Sequence, residues 1–94
     1  MAEQRHDSIV FVGKKPTMSY VLACLTLFQE GAMDITLKAR GRAISKAVDA
    51  AQILTKKFVP GVTVKSVELG TELVKNDDSG ISSNVSSMEI HLSK

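Results

Sequence analysis

The sequence predicts an α/β chain of the α+β kind, a two-layer sandwich ordered β-α-β-α-β-β. Two observations predict it. Two β-type stretches are each followed by a stretch with helical apolar spacing. The last third of the chain then alternates apolar and polar residues around one turn signal. The 94 residues fit one domain, 1–94, with a flexible tail over 1–7 and a hairpin arm over 75–85. With 44% apolar and 23% charged residues, the composition is that of a chain that folds. So small a domain buries a limited share of its surface, and pairing with a second chain would supplement its core.

Ile9–Val12 is a continuous apolar run rich in β-branched residues, which reads as a strand buried on both faces. Gly13 ends it, and Pro16 opens a helix, where its missing N–H costs nothing. Met18, Val21, Leu22, Leu25 and Phe28 recur at helical spacing over 17–30, and Gly31 supplies a left-handed cap. Met33, Ile35, Leu37 and Ala39 then alternate with Asp34, Thr36, Lys38 and Arg40, giving a half-buried strand with two cations on its open side. After Gly41, a longer helix is marked by Ile44, Ala47, Val48, Ala51, Leu54 and Phe58 and stops before Pro60-Gly61. Its alanines permit close approach of a sheet or helix.

Residues 62–74 are strand-like, but their apolar phase changes between Val62/Val64 and Val67/Leu69, which a bulge near Lys65-Ser66 explains. The segment 76–84 is polar, with Asp77-Asp78-Ser79-Gly80 as its turn. Met88, Ile90 and Leu92 alternate with Glu89, His91 and Ser93 in a final strand. The two βα units favour parallel pairing, and the last two strands antiparallel pairing.

Charge is unevenly placed. Residues 1–60 carry nine Lys/Arg and five Asp/Glu, a balance of +4, while residues 61–94 carry three and five, a balance of −2. Such asymmetry fits one basic face or simply an uneven solvated surface. Two basic junctions sharpen it: Gly13-Lys14-Lys15-Pro16, and Lys38-Ala39-Arg40-Gly41-Arg42. Both stand where a strand gives way to a helix, and such corners gather on one edge of an α/β sheet. Lys14, Lys15, Lys38, Arg40, Arg42 and Lys46 could therefore converge on phosphate, helped by helix N-termini. Lys14-Lys15 alone reads more readily as a solvated loop; the two junctions together put both readings on an equal footing.

Other chemistries find little support. Gly13-Lys14-Lys15 lacks the first glycine and the Ser/Thr of a P-loop, and no G-x-G-x-x-G is present. Ser45 has no base near it in sequence, although triads assemble from distant positions. His6 lies in the polar tail and His91 faces outward on the last strand. Neither has Cys or a second His at ligand spacing, so neither metal nor other cofactor is expected. Asp77 and Asp78 read as turn formers. The lone Cys24 lies in an apolar run, which suits a buried inert thiol and fits a reducing compartment. Met1 to Ser8 is polar and does not read as a signal peptide, and no apolar run reaches membrane-span length. The few aromatics argue against a single-strand binder built on stacked rings.

The segment Val12-Gly13-Lys14-Lys15-Pro16-Thr17-Met18-Ser19-Tyr20-Val21-Leu22-Ala23 resembles the opening of Alba-family archaeal chromatin proteins. So does the more specific Lys38-Ala39-Arg40-Gly41-Arg42-Ala43-Ile44-Ser45-Lys46-Ala47-Val48-Asp49, and the likeness covers about residues 8–94. The resemblance implies an Alba-like fold shared with the C-terminal domain of translation initiation factor three. It also implies a non-catalytic homodimer, or a heterodimer with a paralogue, that coats and compacts double-stranded DNA with little sequence preference and binds RNA too. It makes the protein cytoplasmic and chromosome-associated, with no membrane and no small-molecule substrate. The alternative is an RNA chaperone or ribonucleoprotein subunit. A pure assembly module, its charges only solubilising, is a third reading.

Carried over by motif, Lys14 and Lys15 contact the nucleic-acid backbone with Arg40 and Arg42 beside them, and Lys14 is the acetylated lysine. Phe58 matches a dimer–dimer contact; from the sequence alone it is equally a core aromatic ending a helix. The hairpin departs from the family, whose arms carry arginines. Here it offers Lys75, Asp77 and Asp78, then Ile81 for apolar contact and hydrogen bonds from Ser82, Ser83 and Asn84. The central body is thus expected to carry more of the affinity.

Overall fold

The computed structural model describes residues 7–94, and of Asp7 only the backbone. Of the expected tail over 1–7 only Asp7 is described, and its backbone opens the first strand. The rest of the tail, with His6, lies outside the described residues. The elements are β1 (Asp7–Phe11), α1 (Thr17–Gln29), β2 (Asp34–Arg40), α2 (Ala43–Ile53, closed by one π-helical turn, Leu54–Phe58), β3 (Thr63–Lys75) and β4 (Ser82–Ser93). The four strands form one sheet in the order β1-β2-β4-β3, with β1 and β2 parallel and the other pairs antiparallel.

Register decides which side chains reach the core. Ile35, Leu37 and Ala39 of β2 are buried, and they sit opposite Leu92, Ile90 and Met88 of β4. Cross-strand partners share a face, so this is the helix-bearing side. α1 closes it with Tyr20, Val21, Cys24 and Phe28, and α2 with Ala47, Ala50, Ala51 and Leu54. The alanines leave α2 almost no side-chain bulk on its inner face, as their spacing suggests. Val48, expected on that face, is exposed instead, and Ala50 takes its place.

α1 ends as Gly31 suggests. At φ 110° this glycine lets its own N–H donate to Phe28 O at 3.2 Å and the N–H of Ala32 to Leu27 O at 3.0 Å, a Schellman cap. Met33 lies just ahead of β2 and is exposed.

Three further expectations are corrected. β1 is not buried on both faces: it is an edge strand, and Ile9 and Phe11 on its open side are 52% and 73% exposed. A bare outer face explains this, because both helices lie on the other side. The last strand starts at Ser82, so the polar segment includes strand residues and the turn shrinks to the loop between Lys75 and Ser82. There the Asn76 side chain accepts from the N–H of Asp78 at 2.9 Å, and Gly80 adopts φ 73°. His91 is on the open face as expected but is not turned freely outward, its side chain being 28% exposed. The predicted bulge is present, since pairing slips between Val64 and Ser66. The β3–β4 hairpin runs past the helices, and the long axis of the molecule is 45 Å.

Candidate polyanion-binding cleft

The two strand–helix corners lie side by side because β1 and β2 are parallel neighbours. A cleft of about 920 Å³ opens there. Lys14, Lys38, Arg40, Arg42 and Lys46 line it, with Glu72 and Glu89 as its carboxylates. Five of the six cations singled out in the sequence thus surround one space. Lys15, the sixth, is exposed on the loop beside it.

Gly41 makes the second corner. Its N–H still donates to Ser86 O of β4 at 2.8 Å, and the chain then turns at φ 59°. A side chain there would be strained by that φ and would meet Val85 at 3.3 Å. Arg42 follows directly as the residue ahead of α2. Neither α1 nor α2 carries an acid in its first turn. Their partly positive N-terminal ends therefore add to the cations without local compensation.

The first corner is held by two side chains. The hydroxyl of Tyr20 accepts from the N–H of Gly13 at 2.8 Å and of Lys15 at 3.1 Å. The ammonium of Lys46 donates to the carbonyls of Lys15 at 2.7 Å and Gly13 at 3.3 Å. Lys46 thus positions the Lys14-Lys15 loop as well as lining the cleft. Two other cations are engaged on the open face. Lys38 lies 3.5 Å from Glu89, and Arg40 lies 3.0 Å from Glu72. These pairs are half exposed, and such pairs contribute about 0–1 kcal/mol each. Among the described residues no ion pair engages Lys14, Lys15 or Arg42.

Lys75, Ser82 and Asn84 are not in the cleft. They stand on the hairpin arm, Lys75 paired with Ser82 and Asn84 with Leu73. Phe58 ends the π-helical turn and is 43% exposed, so it is not a core aromatic. Sequence reasoning missed Phe11, which lines the cleft with its ring in solvent. Its register opposite Lys38 is the signal that places it on the open face. Cys24 is buried, and burial pushes its thiol up to about 11. Among the described residues no helix is long and apolar enough to cross a membrane.

The fold and the cleft define a small two-layer α+β protein with a basic site at paired strand–helix corners. The sequence model of the Alba family matches residues 8–71. "DNA/RNA-binding protein Alba 1" of Archaeoglobus fulgidus is 50% identical over 94% of this chain and 97% of its own length. "DNA/RNA-binding protein Alba" of Thermoplasma acidophilum is 51% identical over the same shares, 94% and 97%. The solved structure of Alba from Thermoplasma volcanium superposes with a TM-score of 0.86 at 53% identity, covering 92% of this chain and 99% of that one. ALBA1 from Trypanosoma brucei gives 0.73 at 25% identity, covering 98% and 72%. This chain belongs to the Alba family.

Proposed function

We propose that this chain binds nucleic acid without catalysis, coating and compacting double-stranded DNA as a dimer and also binding RNA, in association with the chromosome. One observation carries the reading: Lys14, Lys38, Arg40, Arg42 and Lys46 surround a single cleft. Relatives about half identical to this chain bear the name DNA/RNA-binding protein. Arg supplies a planar fork for phosphate and Lys a mobile charge. Contacts of that kind read the backbone rather than the bases, so binding is weakly sequence-selective. Acetylation of Lys14 would remove one of these charges and weaken the attraction without altering the fold.

The dimer is supported by an uncovered apolar stripe. Val64, Val67, Leu69 and Leu73 lie on the helix-bearing side of β3, beyond the reach of either helix, and Leu69 is 78% exposed. Contiguous exposed apolar side chains of this kind mark an interaction surface, and a second copy or a paralogue would cover it. The exposed Phe58 is the contact through which neighbouring dimers would touch along DNA.

Salt titration of duplex binding tests the reading. If each dimer neutralises roughly six phosphates, log affinity falls against log salt with a slope of about −5. Reversing Lys14 and Lys15 to Glu weakens binding to all sequences alike and leaves the circular dichroism unchanged. A slope near about −1 would defeat the proposal.

Phe11 favours a second reading, an RNA chaperone or ribonucleoprotein subunit. A solvent-exposed ring beside Lys14 and Lys38 is a platform for an unstacked base. On that reading Phe11→Ala weakens binding to single-stranded RNA and spares a DNA duplex.

A further inference from the structure

The open face of the sheet carries a second polar cluster, which shares Glu89 with the basic cleft and extends away from it onto β3 and β4. Glu68 of β3 pairs directly with Glu89 of β4, and His91 stands one step along the same face of β4. His91 Nε2 lies 3.5 Å from Glu68 Oε2 and 3.7 Å from Glu89 Oε1. The three donor atoms all fall within 4.8 Å of one another.

The histidine is already oriented. Its Nδ1 is 2.9 Å from Thr36 Oγ1 on β2. Its Nε2 is shielded from solvent and has no hydrogen-bond partner. If Nδ1–H donates to the threonine hydroxyl, the Nε2 lone pair points at two carboxylate oxygens with nothing between them to accept it. If instead the hydroxyl donates to Nδ1, the Nε2–H finds those oxygens too far for a good bond. Neither neutral tautomer gives Nε2 a well-placed hydrogen-bond partner, while two carboxylate oxygens face it within 3.7 Å. A cation placed among the three atoms satisfies all of them.

The geometry points to a divalent-cation site of the zinc class formed by His91, Glu68 and Glu89. A tetrahedral ion with bonds of about 2.1 Å holds its ligand atoms about 3.4 Å apart. The two separations from Nε2 are close to that edge length, and the exposed stem of Glu68 can swing to close the third. One imidazole and two carboxylates suit zinc and its neighbours better than magnesium or calcium, which prefer oxygen alone. Thr36 then acts as the outer partner that fixes the ring, as such partners do in zinc sites. Glu89 can serve two neighbours, since Oε2 rather than Oε1 faces Lys38. A water completes the fourth position. Bound there, the ion ties β3 to β4 at the base of the hairpin arm and cancels the charge of two carboxylates.

Zinc titrated calorimetrically into the full-length protein, in a non-chelating buffer, tests this site. The expected result is one ion per chain, with affinity at least tenfold weaker in both His91→Ala and Glu68→Gln. Cobalt(II) gives a second readout: the intact protein develops the visible bands of a tetrahedral ion, and His91→Ala does not. Circular dichroism of each variant confirms that the fold persists. Equal uptake by the intact protein and His91→Ala, a loss of less than tenfold, or no uptake at all overturns the assignment.

Discussion

The guanidinium of Arg40 on β2 meets the carboxylate of Glu72 on β3, Nη1 to Oε1 at 3.0 Å, across the intervening strand β4. The basic cleft therefore holds its own competitor for phosphate. On the proposed reading, Arg40 must release this acid of β3 before it can grip a polyanion.

Glu72→Gln removes that competitor. Affinity for a short DNA duplex is expected to rise about threefold at low ionic strength, and the gain should fade as salt screens the cleft. Stability should change by less than about 1 kcal/mol, because the pair is half exposed. Fluorescence anisotropy at two salt concentrations, with thermal melts alongside, checks both. A loss of affinity would mean that Glu72 aims Arg40 rather than occupying it.

Tyr20→Phe keeps the packing of the ring and deletes the acceptor shared by Gly13 and Lys15. With water replacing part of the lost bonding, the expected cost is about 1–2 kcal/mol. For a chain of this size that lowers Tm by roughly 5–15 °C. Hydrogen exchange of the Gly13 and Lys15 amides should accelerate while that of β2 and β4 stays put. Duplex affinity should drop a few-fold, because the Lys14-Lys15 loop loses its fixed shape.

Leu69→Glu places a charge in the middle of the bare stripe on β3. In analytical ultracentrifugation the variant is expected to sediment as a monomer at concentrations where the proposed dimer of the parent protein forms. The helix-side core of a single chain does not enclose Leu69, so circular dichroism should be nearly unchanged. An unaltered dimer would place the pairing surface elsewhere.

Cys24 gives a pH signature. Folding raises its thiol from 9.0 to about 11 through burial. Above pH 9 the unfolded chain releases this proton while the folded chain retains it, so the unfolded state is favoured. Stability contributed by the neutral thiol is complete below pH 9 and declines as pH rises toward about 11. The loss is at most about 2–3 kcal/mol. Denaturant midpoints of the parent protein should fall over that interval more than those of Cys24→Ala. Below pH 9 the native thiol should resist alkylating reagents.

The structure also shows which features local sequence could carry. The bulge at Lys65 was legible because a phase change in apolar residues has few other causes. The basic corners were legible because Gly13 and Gly41 mark chain reversals beside cations. Phe11 was misread because an unbroken apolar run looks alike whether one face or both are covered. No local signal put β4 between β2 and β3, since that pairing joins Asp34 to Ser93. The cluster of Glu68, Glu89 and His91 was hidden for the same reason. Its members meet only through hairpin register, which ligand spacing along the chain does not report.

The place of β4 has a consequence for biogenesis. Of the four strands it is the last to leave the ribosome, yet it occupies the middle of the sheet. Until it arrives, β3 has no neighbour to join, and the nascent chain can assemble only the β1-α1-β2-α2 half. Completion must await the most distant contacts in the molecule, which slows collapse into the finished form. Meanwhile the unjoined edge of β2 stands open to another chain emerging nearby.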